Sequence, residues 1–256
     1  MFDRSRRGRR LIRIGALVRH NLGLLVREPG PLVSRIVVPL LLMSLMAPLY
    51  RAAMPDGGTA AAVTGVGVTF SLLALSIVGT SILSERTWHT WDRLRATAAH
   101  PAELLAGKAV PAVAVLAVQQ AALFTYGSWI LGLRIAHPAL LATAAGAWIL
   151  ALLGLGAAIG TLAPSHGALS AACDLGSVLT TCLGGALVPL AVLPGWARAV
   201  APVSPGYWAV TAMRAALSGE PGTTLRHGAV LVGLGLAAGA LACWRISRGW
   251  GRSRLL

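Results

Sequence analysis

Five stretches of this 256-residue chain contain no Asp, Glu, Lys or Arg: 36–50, 60–84, 109–133, 138–172 and 227–244. A bilayer's hydrocarbon core takes about 20 apolar residues in a helix. Inside it every backbone polar group must be satisfied within the protein, which leaves helices as the spanning element for runs of this length. The fourth stretch is too long for one crossing and is cut by Pro164-Ser165-His166-Gly167. A further apolar run, 175–196, follows Asp174. The pattern predicts an all-α membrane protein with six spans, near 33–53, 61–84, 106–132, 139–163, 168–193 and 227–245. The first span carries Pro39 and Pro48, which membrane helices tolerate when neighbours satisfy the freed backbone groups.

Charge sets the expected orientation. Only 12% of the residues are charged, yet the net charge is +14. Soluble domains carry about 25% charged residues. The basic residues flank apolar runs, which fits anionic lipid headgroups rather than nucleic acid. With six spans, 17 of the 22 basic residues fall on the side of the N-terminus, loop 2–3 and the C-terminus. The other five are Arg51, Arg134, Arg198, Arg214 and Arg226. The basic side is expected to be cytoplasmic, which places both termini there. Within 11–26, apolar residues recur at helical spacing with arginines on the other face, which predicts an interfacial amphipathic helix. It ends near Glu28-Pro29-Gly30-Pro31. No small-residue cleavage site follows, so a removable signal peptide is not expected. Cys173, Cys182 and Cys243 show no CxxC spacing and read as small hydrophobes within helices.

Few polar features stand out. Loop 2–3, from Glu85 to Lys108, is the longest polar stretch. Trp88, Trp91, Leu94 and Arg95 share one face there, the pattern of a short surface helix or of an interfacial loop anchored by tryptophans. Loop 5–6 holds Pro194, Trp196, Arg198, Pro205, Tyr207 and Arg214. It is apolar for a solvated loop, which predicts a segment that re-enters the outer leaflet or lies along it. Asp174, Gln119 and Gln120 are polar residues in apolar stretches, candidates for a transport pathway or for hydrogen bonds between helices. Gly156 and Gly160 have the spacing that permits close helix approach. No Walker phosphate-binding motif occurs: around Gly107-Lys108 the first glycine position is Ala102 and the Ser/Thr position is Ala109. No HExxH and no clustered acidic motif occurs either.

In order and spacing these segments resemble the permease subunit of ABC-2-type transporters, particularly the daunorubicin-resistance type. Three pieces carry the resemblance. The first is a basic helix leading through Arg27-Glu28-Pro29 into a span with Pro39. The second is Glu85, Arg86, His89-Thr90, Leu94, Pro101 and Gly107-Lys108. The third is Leu193-Pro194-Gly195-Trp196 with Pro202, Pro205, Tyr207 and Arg214. Glu28 stands where the family has Asp, and His89 where it has Gly. The resemblance implies a single transmembrane domain over 1–256: a cytoplasmic helix (1–32), a six-helix bundle (33–245) and a cytoplasmic tail (246–256). It implies a bacterial cytoplasmic membrane, a second permease (another copy of this chain or a related one), and two cytosolic ATPase subunits that hold the ATP and Mg2+. No cofactor is expected on this chain, and no catalytic residue. Arg27, Glu85, Arg86, Trp88, Thr90, Trp91 and Leu94 would couple to the ATPase. Pro194, Trp196, Pro205, Tyr207 and Arg214 would gate the outer side. The implied substrate is hydrophobic or amphipathic: an antibiotic, a lipid or a glycolipid.

Two other readings are open. A secondary transporter would need inverted repeats and an ion site; no repeat is visible and Asp174 is a lone candidate. A membrane-embedded lipid enzyme would need a polar catalytic cluster at one depth, and the sequence presents none.

Overall fold

The computed structural model describes residues 29–88 and 101–248. Nine α-helices occur among them: α1 (Pro29–Ala53), α2 (Gly58–Ser71), α3 (Ala74–Thr87), α4 (Pro101–Trp129), α5 (Pro138–Leu162), α6 (His166–Leu183), α7 (Gly195–Val200), α8 (Pro205–Ser218) and α9 (Pro221–Ser247). Two 3-10 turns, Leu190–Val192 and Ala201–Val203, flank α7. No strand occurs among the described residues. The expected helix over 11–26 and the tail from residue 249 lie outside them.

Among the described residues five helical segments are long and apolar enough to cross a membrane: Val33–Ala53, Gly58–Thr87, Ala109–Trp129, Pro138–Leu162 and Pro221–Ser247. The stretch expected as a span over 168–193 behaves differently. It holds α6, an 18-residue helix diluted by Asp174, and leaves the helix at Gly184. Gly185 then adopts a left-handed backbone (φ 72°), and Pro189 lies beyond it. The break is also a packing joint. A Cβ on Gly184 would sit 2.8 Å from the Gly206 carbonyl carbon, so α6 ends where the start of α8 crosses it.

The second span contains a break the apolar pattern did not announce. Helix α2 stops at Ser71 and α3 starts at Ala74. No proline is present. Instead the Thr69 hydroxyl donates to Gly65 O (2.8 Å) and Ser71 to Val68 O (2.8 Å). Such back-bonding bends helices. The amides of Leu72 and Leu73 turn to carbonyls three residues back, tightening the helix locally.

Helix α5 is the hub. It packs most extensively on α9, then on α3, and also on α8 and α4. A helix apolar all round belongs in the middle of a bundle, and α5 buries Trp148, Leu152 and Ala151 completely. Trp148 Nε1 donates to Ser71 Oγ across the α2 break (2.6 Å). Lipid tails are as apolar as leucine, so helix association here depends on close packing of small residues. Gly156 lies against Leu75 and Val78, and a Cβ on Gly160 would come within 2.9 Å of the Gly79 Cα. The GxxxG spacing thus serves the α3–α5 contact.

Candidate functional site

The residues singled out from sequence fall into three places. At one end of the bundle α3 stops and α6 begins, joined by Thr87 Oγ1 and His166 Nε2 at 3.3 Å. Glu85 and Arg86 sit in the last turn of α3, half-buried and exposed respectively, followed by an exposed Trp88. Arg27, Thr90, Trp91 and Leu94 lie outside the described residues, so only the root of the expected coupling loop is in view.

The two glutamines lie inside the bundle on α4, Gln119 at 2% and Gln120 at 3% exposure. Gln119 Nε2 donates to the Arg35 carbonyl (3.1 Å). That carbonyl is four residues before Pro39, which has no N–H to offer it. Gln119 therefore supplies the donor that the proline removed. Gln120 Nε2 reaches Gly67 O at 3.4 Å, and its Oε1 is buried without a partner. It borders a largely apolar groove of about 730 Å³ between α4 and α5. Asp174 is on α6, exposed, and accepts from Ser170 Oγ (3.2 Å). The structure gives Gln119 a helix-joining role and does not gather these three polar residues into one site.

If Gln119 serves Pro39, the two should be coupled. Gln119→Leu is expected to lower stability by about 1 kcal/mol in the wild-type background. In a Pro39→Ala background, where the backbone amide is restored, the loss should vanish. Thermal unfolding of the four proteins of this cycle measures it; equal losses in both backgrounds would show that Gln119 does not act through Pro39.

The opposite end holds the turn at 54–57, the connection 130–137 and the segment 184–220. The expected gate residues lie in that last segment but do not form one cluster. Pro194 and Trp196 are exposed at the start of α7, Trp196 at 69%. Pro205 opens α8, with Ser204 as N-cap accepting from Gly206 N (3.2 Å). The Ser204 hydroxyl also donates to Thr180 O on α6 (3.2 Å). Tyr207 stacks edge-on to Trp208 at 5.3 Å, and the Trp208 ring tilts over His227 of α9 at 5.1 Å. Trp208 Nε1 ties back to Pro202 O (2.8 Å).

Beyond this aromatic group α8 runs inward. Ala209, Ala212, Met213 and Ala216 are fully buried, and the helix packs on α9, α5 and α2. It is clasped by protein, not laid on a surface. Arg214 projects from it between α1 and α2. Its Nε reaches Thr64 Oγ1 at 3.4 Å. One terminal nitrogen is buried and has no partner. Tyr50 donates its hydroxyl to Leu187 O, and a Cβ on Gly65 would collide with the Ala186 backbone. These contacts fasten the segment after α6 to α1 and α2.

All three connections at this end border one cavity of about 700 Å³. Its walls include Asp56, Arg134, Arg214 and Glu220. Sequence reasoning singled out Arg214 and missed the rest. Thr64 looks like an ordinary helix residue in the sequence, and nothing there signals its meeting with residue 214. Among the described residues no group of three His, Cys, Asp or Glu side chains could hold a metal ion.

A family model described as ABC-2 type transporter matches residues 13–218 of the chain. The match runs from the basic N-terminal region through α8 and stops just before α9. A search of curated proteins finds no match.

Proposed function

The chain belongs to the ABC-2 type transporter family, and from that premise we propose that it is an exporter permease of a bacterial cytoplasmic membrane, driven by two copies of a separate ATPase. It is a multi-pass membrane protein and a permease by family. The finer reading is an exporter of the daunorubicin-resistance type, paired with a second permease copy. It moves a hydrophobic or amphipathic compound: an antibiotic, a lipid or a glycolipid. The family match over most of the chain supports the permease on which this reading builds.

Six crossings are part of it. Helix α6 is the fifth in chain order and is added to the five long segments, at about 27 Å for 18 residues. Its start is bonded to the end of α3, while Leu187, just past its end, is bonded to Tyr50 near the end of α1. Those two anchors support a path through the thickness of the bundle. The next segment, with α8 clasped inside, is the re-entrant element and outer gate. Non-helical backbone at that depth is tolerated when protein covers it. The end with Glu85 and Arg86 faces the cytoplasm and couples to the ATPase together with the N-terminal helix. ATP-driven closure shifts the permease between inward- and outward-facing states only through contacts that differ between them.

Affinity purification from the native membrane tests the reading. A P-loop ATPase in stoichiometric amount is the expected companion. Its absence after mild solubilisation and crosslinking through loop 2–3 would overturn it.

A further inference from the structure

The cavity at the end holding the three connections is more than a gap between loops. Its walls come from every connection at that end: Asp56 from 54–57, Arg134 from 130–137, and Arg214 and Glu220 from α8 and the turn after it. Outside that wall most of the bundle's interior is apolar. Two guanidinium and two carboxylate groups therefore share one space of about 700 Å³.

Arg214 is the unusual member. It is half-buried, and a cation drawn out of water is retained at a cost unless its hydrogen bonds are met. The chain offers it one long bond, to Thr64 at 3.4 Å, and leaves a terminal nitrogen buried without a partner. The part of Arg214 that is not buried lines the cavity, where an external acceptor can reach it. A guanidinium fork matches the paired oxygens of a phosphate. A purely anionic ligand would also meet Asp56 and Glu220 in the same lining, whereas an amine beside the phosphate would pair with them. The cavity also sits at one end of the membrane-spanning helices, where phospholipid headgroups lie.

We propose that this cavity binds the headgroup of a zwitterionic phospholipid, its phosphate on Arg214 and its amine toward Asp56 and Glu220. The site is independent of the ATPase and goes beyond the permease reading. Its side of the membrane follows from the charge pattern, which makes it the outer leaflet.

The test is native mass spectrometry of the delipidated full chain in detergent, with phosphatidylethanolamine or phosphatidylglycerol added. The wild-type protein is expected to retain one phosphatidylethanolamine per chain, about tenfold better than phosphatidylglycerol. Arg214→Gln should lose about tenfold in retention of either lipid. Asp56→Asn combined with Glu220→Gln lies at an exposed rim, so folding is spared; it should abolish the preference between the lipids. Arg198→Gln, exposed and outside the cavity, should match wild type. Retention by Arg214→Gln equal to that of Arg198→Gln would overturn the proposal. So would an undiminished preference in the rim variant, or equal retention of both lipids by wild type. No ATPase is present, so failure here leaves the permease reading standing, and failure of the pull-down leaves this site standing.

Discussion

Gly154→Leu is expected to prevent α5 and α9 from closing on each other and to cost the bundle more stability than any other single glycine replacement on α5. A Cβ at Gly154 would land on the Gly235 carbonyl, with the Gly235 Cα only 2.9 Å away. The obstacle is backbone, which cannot rotate aside as a side chain would. Gly235 has the reciprocal constraint, its Cβ position lying 2.7 Å from the Leu150 carbonyl oxygen. Overpacking typically costs about 1–3 kcal/mol, more when nothing can move. In a protein of this size about 3 kcal/mol corresponds to a fall of roughly 6–12 °C in melting temperature. Gly146 on the same helix has nothing within 4 Å of its Cβ position, so Gly146→Leu controls for helix propensity and hydrophobicity. Thermal unfolding of the two variants in detergent decides the matter. Equal melting temperatures would mean that the α5–α9 contact is looser than the structure has it.

Glu85→Ala and Arg86→Ala are expected to separate ATP hydrolysis from transport. Both residues are in the last turn of α3, where the chain leaves the bundle for the loop expected to meet the ATPase. Helix α3 is packed along α5, so motion received at its end can reach the hub of the domain. Coupling free energies between sites are typically worth 5–150-fold, so transport should fall on the order of tenfold while basal ATPase activity of the complex persists. Both side chains lie outside the fully buried core, so membrane insertion should be intact. Efflux at the wild-type rate in both variants would remove these residues from the coupling role. Loss of the ATPase from the purified complex would instead assign them to subunit binding.

Much of this architecture is legible along the chain. Each of the five long helical segments overlaps one charge-free run, because a helix in lipid must satisfy its own backbone and shed its charges. Pro138, Pro205 and Pro221 open helices at the first-turn position where a missing N–H does no harm. The family resemblance drawn from short motifs agrees with the family match over residues 13–218. The breaks were less legible. The interruption at Leu72–Leu73 depends on hydroxyls that serve equally well in a straight helix. The end of α6 at Gly184 depends on Gly206 arriving from 22 residues further along the chain.

The amino-acid sequence by itself determined that this chain is a helical membrane protein and where its long helical segments run. Those properties follow from local composition, since each apolar run is chosen by its own transfer into lipid. Only the tertiary structure decided what the few polar residues do. Gln119 became the donor for a carbonyl that Pro39 leaves bare. Asp174 remained at the chain's surface beside Ser170. Arg214 was drawn toward Thr64, on the wall of a cavity shared by three separate connections. Pairing of buried polar groups is a non-local matter, settled by which helices meet, and the spacing of one segment holds no record of the partner that another brings.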